Sequence, residues 1–207
     1  ESTAHYRRNF TTVPRTRRQQ RGTMKTLPDY LASDLRIISV GLNPSPNSVC
    51  CGYPYATPQN RFWRALNQSR LVAAEYPPGV NAMHRLLEFE RIGFTDVVKR
   101  PTPGAAGLRA ADFRQWAPVA LAKLRRLAPR VVWFQGKISY RNFMRYALEA
   151  RPAEVPWGEQ DSLCSGAAVF VTPNPSAANA AYSLDDIVCW MNRLAQFVAD
   201  HEAAGSR

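Results

Sequence analysis

Cysteine, histidine and lysine are scarce in this 207-residue chain, and each shortage removes a class of function. The four cysteines (Cys50, Cys51, Cys164, Cys189) show no C-x-x-C pair and no iron–sulfur spacing. Cys50 and Cys51 are adjacent and poorly placed to bridge, so the thiols read as free, as in a reducing cytoplasm. His5, His84 and His201 are scattered, which supports neither a zinc centre nor a Ser-His-Asp triad. No metal or other cofactor is expected. No G-x-G-x-x-G or G-K-[ST] loop is present, which argues against dinucleotide or nucleotide-triphosphate binding. No run approaches the roughly 18 apolar residues of a membrane span. The basic N-terminal region lacks an apolar core, so no secretory leader is expected and the reading is cytoplasmic. With lysine only at 25, 99, 123 and 137, a Schiff-base amine has few candidates.

What the chain has in excess is arginine, and the formal net charge is +11. Residues 1–25 carry six arginines and Lys25 against Glu1 alone, a net +6, and the remaining residues still hold +5. An excess on both parts favours a polyanionic partner, of which nucleic acid is the commonest. Arginine's planar fork matches phosphate oxygens two at a time. Residues 1–25 are polar and without apolar periodicity, so they read as a flexible basic arm. Residues 26–207 are enough for one globular domain with a sizeable core.

Within that body, Leu35–Val40, Val131–Phe134 and Ala167–Val171 are short apolar runs closed by turn residues, the pattern of buried strands. Gly93–Val98 reads as a loop or short strand. Helical spacing runs through Asn60–Leu66, 82–89, Ala111–Leu127 and Ile138–Leu148. The last helix opens at Ser183 with Asp186 as a capping-box partner, and Leu184, Ile187, Val188, Met191, Leu194 and Val198 recur at helical steps. The five tryptophans sit mostly in such apolar contexts and read as core. Strands separated by helices imply an α/β fold: a three-layer α/β/α sandwich around a short, mainly parallel sheet.

Asn-Pro-Ser occurs twice, at Asn43-Pro44-Ser45 and Asn174-Pro175-Ser176, each just past a strand-like run. Ligands of open parallel sheets bind beyond the carboxyl ends of the strands. Two such turns suggest one cleft with two walls. An Asn amide both donates and accepts, which suits it to orient a water or read a heterocycle edge. Ordinary strand-to-helix turns would use the same residues. After the first turn the chain runs through Gly52-Tyr53-Pro54-Tyr55-Ala56-Thr57-Pro58 to Asn60-Arg61-Phe62-Trp63. This reads as a stiff, turn-rich loop with rings suited to stacking a base.

That segment resembles the first motif of the mismatch-specific uracil/thymine-DNA glycosylases, a branch of the uracil-DNA glycosylase superfamily. The branch typically reads Gly-Ile-Asn-Pro-Gly, then Gly-Phe-Pro-Phe-Ala-His-Pro, then Asn-Arg-Phe-Trp. Gly93–Thr102 is similar to its Gly-Val-Thr-x-Leu-Val-x-Arg-Pro-Thr, and the second Asn-Pro-Ser to its Asn-Pro-Ser-Gly-Leu-Ser. The three blocks fall in order across residues 35 to about 195. The resemblance implies a monofunctional, base-flipping repair enzyme, without cofactor, that removes uracil from DNA through water attack on the N-glycosidic bond. It implies a partner in double-stranded DNA bearing uracil or a mismatch, with single-stranded DNA as a further form. A monomer is expected, because base flipping needs one cleft.

By position, the resemblance puts Asn43 on the attacking water. Leu42, Ser48, Tyr55 and Asn174 fall at the base, with Tyr55 where the family usually has Phe. Ser176, Ala177, Ala178, Asn179, Lys99 and Arg100 fall at the DNA. Ser45 stands for the usual Gly. Ala177-Ala178-Asn179-Ala180-Ala181-Tyr182-Ser183, one residue longer before the last helix, stands where the family has Gly-Leu-Ser-Arg, whose Leu fills the hole left by the flipped base and whose Arg meets the opposite strand. Asp96 is a carboxylate inside a matched block otherwise free of them, and reads as sharing catalysis with Asn43 or as a loop residue paired with Lys99 or Arg100. A non-catalytic nucleic-acid-binding module of the same fold is the alternative. A small-molecule hydrolase would fit the fold but not the charge.

Overall fold

Each of three inner strands sends apolar side chains to both of its faces, and that double burial organises the molecule. Ile37, Val131, Trp133, Ala168 and Phe170 belong to one core. Ile38, Val40, Val132, Phe134, Val169 and Val171 belong to the other. Continuous apolar runs of this kind mark strands covered by helices on both sides. The computed structural model describes residues 24–163 and 166–204. The basic arm read over 1–25 therefore lies outside the described residues, apart from Met24 and Lys25.

The strands are β1 (Ile37–Gly41), β2 (Ile92–Asp96), β3 (Val131–Gln135), β4 (Gly158–Gln160) and β5 (Ala168–Thr172), in the sheet order β2-β1-β3-β5-β4. The first four in that order are parallel, and β4 closes the far edge antiparallel to β5. Helices α1 (Pro46–Cys51), α2 (Phe62–Gln68), α3 (Val80–Phe89), α4 (Ala110–Leu127), α5 (Lys137–Ala147) and α6 (Leu184–Ala204) complete the described chain. Residues of α2, α3 and α6 fill the first core, and residues of α4 and α5 fill the second. The result is the expected α/β/α sandwich. No helix among the described residues is long and apolar enough to cross a membrane.

Three local outcomes refine the sequence reading. The segment after the first Asn-Pro-Ser is not all loop: Ser45 Oγ accepts the Ser48 N–H at 3.1 Å, Pro46 starts α1, and Gly52 ends it in the left-handed region. Ser45, where the family has Gly, is thus a helix cap. Gly93–Val98 resolves into edge strand β2. The last helix begins as read, with Ser183 N–H on Asp186 Oδ2 (2.8 Å) and Asp186 N–H on Ser183 Oγ (3.1 Å).

Edge strand β2 is shielded by the segment before β1, where Tyr30 and Phe94 exchange two backbone hydrogen bonds of 3.0 and 2.7 Å. That approach leaves no room at Gly93, where a Cβ would stand 2.5 Å from Leu35 Cδ1 and 2.9 Å from the Tyr30 carbonyl oxygen. Gly93→Ala is expected to destabilise the fold by about 1–3 kcal/mol, as overpacking against backbone does. Urea unfolding should show a lower midpoint at an unchanged slope.

Candidate active site

Parallel pairing puts the carboxyl ends of β1, β2, β3 and β5 along one edge, and the residues that follow those ends form the site. Gly41 stands opposite Asp96 in the β1–β2 register. The ladder continues past both strands, Val97 N–H to Gly41 O and Val98 N–H to Leu42 O, each at 2.9 Å. Leu42 packs its side chain against the second core. Asn43 follows, and its amide is held by three bonds from Nδ2: to Thr102 Oγ1 (2.7 Å), Arg100 O (3.1 Å) and Pro44 O (3.3 Å). All three use the donor end, which leaves Oδ1 as the acceptor.

Asp96 lies flat over β1. A Cβ on Gly41 would stand 2.5 Å from Asp96 Oδ1 and 3.7 Å from the Tyr55 hydroxyl, so glycine at 41 is what lets the carboxylate settle there. Its side chain is 12% exposed. Burial raises its pKa to about 6 against the pull of Lys99, whose Nζ stands 3.7 Å away. Tyr55 closes over this corner with its backbone in the left-handed region (φ 59°) and its ring stacked on Phe62 at 4.1 Å. Burial, and secondarily the Asp96 charge, push its phenol upward. Ser39 Oγ, beneath, accepts from Gln135 Nε2 at 3.1 Å. Gln135 Oε1 is the one buried side-chain acceptor without a partner among the described residues.

The enclosed hollow bounded by Tyr30, Pro54, Tyr55, Phe94 and Asp96 measures about 10 Å3. That is room for one water molecule at most, and neither Asn43 nor Asn174 lines it.

Arg61, which the sequence analysis met only as part of a motif, fastens the second wall. Its backbone N–H and Nε both reach Pro175 O (3.1 and 3.3 Å), and Nη2 reaches Ser176 O (2.6 Å) and Asn179 O (2.9 Å). Nη1 donates to Tyr182 O. Asn174 Nδ2 holds Gln135 O at 3.3 Å while its Oδ1 accepts the Ser176 N–H at 2.8 Å. Asn179 Nδ2 bonds Asn174 O at 3.0 Å, and Ser176 Oγ accepts the Ala178 N–H at 3.4 Å. Ala177 and Ala178 stand exposed at the tip.

Two expected site residues fall elsewhere. Lys99, read as a DNA contact, is 6% exposed, with Nζ 2.8 Å from Asp29 Oδ1 and the Asp96 carboxylate on its other side. Two largely buried carboxylates hold its charge inside, away from a phosphate at the surface. Ser48, read as a base contact, is 2% exposed and staples the loop, accepting from Ser45 Oγ (3.1 Å) and Ala56 N–H (3.3 Å). Arg100 stays near the surface but is clamped on Asp112 at 2.6 and 2.7 Å and on Gly107 O.

The electrostatics make a signed prediction. Because Asp96's folded-state pKa stands above its ordinary value, the ionised carboxylate costs stability above pH 6, and the cost is withdrawn as pH falls from about 6 to about 4. Asp96→Asn is therefore expected to raise the melting temperature at pH 7.5, by no more than about 3 kcal/mol in stability. The gain should shrink toward zero at pH 4, as thermal melts across that range would show.

Comparison with known proteins agrees with this architecture. The family model described as the uracil DNA glycosylase superfamily matches residues 28–197. Among solved structures, the solution NMR structure of a uracil DNA glycosylase candidate from Methanosarcina acetivorans aligns with a TM-score of 0.55 at 19% identity. The alignment covers 84% of this chain and 98% of that one. With the match running from the segment before β1 to the last turns of α6, the chain belongs to the uracil DNA glycosylase superfamily.

Proposed function

We propose that the protein is a monofunctional DNA glycosylase that excises uracil from DNA, in the manner of the mismatch-specific uracil/thymine branch that its three motifs resemble. The observation that carries the reading is the corner at the ends of β1 and β2. There a largely buried carboxylate with a pKa near 6 stands opposite Gly41, two residues before an Asn whose donor end is anchored. Bond cleavage gives the deoxyribose oxocarbenium character, and the glycosidic electron pair leaves with the base. Water then forms the new bond at C1′ and must shed a proton. Asn43 Oδ1 is suited to accept a hydrogen bond from that water, and ionised Asp96 to take its proton or stabilise the sugar cation. Tyr55 offers a ring held rigid by Phe62, and Asn174 the second wall. The basic excess supports DNA as the partner, bound by a surface outside the buried Lys99.

A uracil-bearing duplex incubated with the protein should show strand scission only after alkali. Scission without alkali would indicate a lyase, and no scission at all would defeat the reading. Asn43→Ala and Asp96→Asn should each slow single-turnover excision by about 10²–10³-fold with duplex binding retained. The kcat/KM profile of the native protein should fall below pH 6, where Asp96 is protonated. With alanines at 177 and 178, excision from U·G, U·A and single strands should proceed at comparable rates; strict U·G preference would count against the role given to the second loop.

A further inference from the structure

Asp96 is not an isolated carboxylate but one end of a chain of charges that runs from the site through Lys99 and Asp29 to Lys123 on α4. Lys99 Nζ lies 3.7 Å from Asp96 Oδ2 and 2.8 Å from Asp29 Oδ1. Thr95 Oγ1 donates to the same Asp29 oxygen at 2.8 Å, and Lys123, on α4, holds Asp29 Oδ2 at 2.5 Å. The four groups come from three separate pieces of chain: the segment before β1, the end of β2 with its loop, and α4. With all four ionised the chain is neutral. Burial pushes Asp29 up, but Lys99 and Lys123 more than reverse this, and Asp29 ends below its ordinary range. It is therefore a fixed negative charge at neutral pH. The remaining titratable group facing Asp96 is the Tyr55 phenol, which stays neutral.

We propose that Asp29, Lys99 and Lys123 are positioning residues that set the working charge of Asp96, Lys123 favouring the ionised form and Asp29 opposing it, although neither touches the site. The inference rests on the catalytic reading of Asp96. Its physical content is a difference in sign. Asp29 holds Lys99 away from a closer contact with Asp96 and adds a like charge. Lys123 neutralises Asp29 and so lets Lys99 act on Asp96. Removing Lys123 leaves the chain net negative and makes Asp96 harder to ionise. Removing the Asp29 charge leaves it net positive and makes Asp96 easier to ionise.

The test is the pH profile of kcat/KM for uracil excision from a duplex oligonucleotide by the full chain. Lys123→Gln should move the acid limb upward by about half a pH unit or more, Lys123→Arg should restore it, and Asp29→Asn should move it downward. A merely structural role would lower the plateau of all three and leave the limb in place, which overturns the proposal. Should Asp29→Asn fail to fold, the pair of Lys123 variants decides, since that side chain is 21% exposed and its loss leaves no buried charge on α4. Asp96→Asn serves as the control. If it keeps full activity with the limb intact, the catalytic reading of Asp96 fails; if it abolishes the limb while the Lys123 and Asp29 variants leave it unmoved, only the present inference fails.

Discussion

The entry to α2 is the constraint on which the site depends, because the four consecutive residues Asn60 to Trp63 fasten both loops to one rigid body. Asn60 Oδ1 accepts the Phe62 N–H at 2.9 Å and starts the helix. Arg61 collects carbonyls of Pro175, Ser176, Asn179 and Tyr182 from the second loop. Phe62 backs the Tyr55 ring, and Trp63 Nε1 donates to Pro54 O at 3.1 Å. Irregular loops carry backbone oxygens that secondary structure does not satisfy, and each left unbonded on burial costs on the order of 1–3 kcal/mol. A guanidinium has five donors in a fixed plane, so one side chain can satisfy several at once; a lysine ammonium lacks that geometry. The motif is thus a positioning device whose residues need not touch a ligand.

Against this rigid frame the corner at Asp96 is electrostatically uncomfortable. A carboxylate is largely buried against β1 with Lys99 at 3.7 Å and, farther off, Lys123 to offset its desolvation, and both lysines are shared with Asp29. A protein optimised for stability alone would place Lys99 closer or remove the acid. Tyr55 adds to the tension, a non-glycine residue in the left-handed region whose hydroxyl is buried near the same charge. Local strain of this kind persists only where surrounding packing over-determines it, here the stack on Phe62 and the bond from Trp63. A carboxylate whose desolvation is only partly offset is the kind of group that proton transfer near neutral pH requires.

The layers of the fold were legible because burial on both faces writes itself into a strand as an unbroken apolar run, as in Val131–Phe134, and into a helix as three- and four-residue spacing, as in α6. The motif blocks likewise marked Asn43, Tyr55, Asp96 and Asn174 as positions of interest. Direction was not legible. Lys99 sits next to Arg100 in a basic stretch, and nothing in that stretch says that one turns inward to Asp29 while the other turns out to Asp112. Its partner lies 70 positions away, and the Asp29–Lys123 pair is separated by 94. Contacts at such range leave no periodicity to read. Helix α1 escaped notice because Ser45-Pro46, a cap and first helical residue, looks the same as a turn, and β4 because three residues cannot display a period.

The two loops hold their shape by different means, and the difference bears on how DNA would be read. The first is fixed mainly through its own side chains, Asn43, Ser48 and Tyr55 each being tied to a neighbour, with the Pro54 carbonyl held by Trp63. The second is fixed through its backbone, gripped from below by Arg61 and folded on itself by Asn174, Ser176 and Asn179, and it ends in two exposed alanines. A tip of that kind can approach a phosphodiester or sugar closely, since methyl groups take little space, but it can neither fill the space of a departed base nor donate to the opposite strand. In the proposed reading, selectivity must then come from the pocket side, where Tyr55 and Asp96 stand, and affinity from the arginine-rich surface. Discrimination would then rest on how readily a base leaves its own stack.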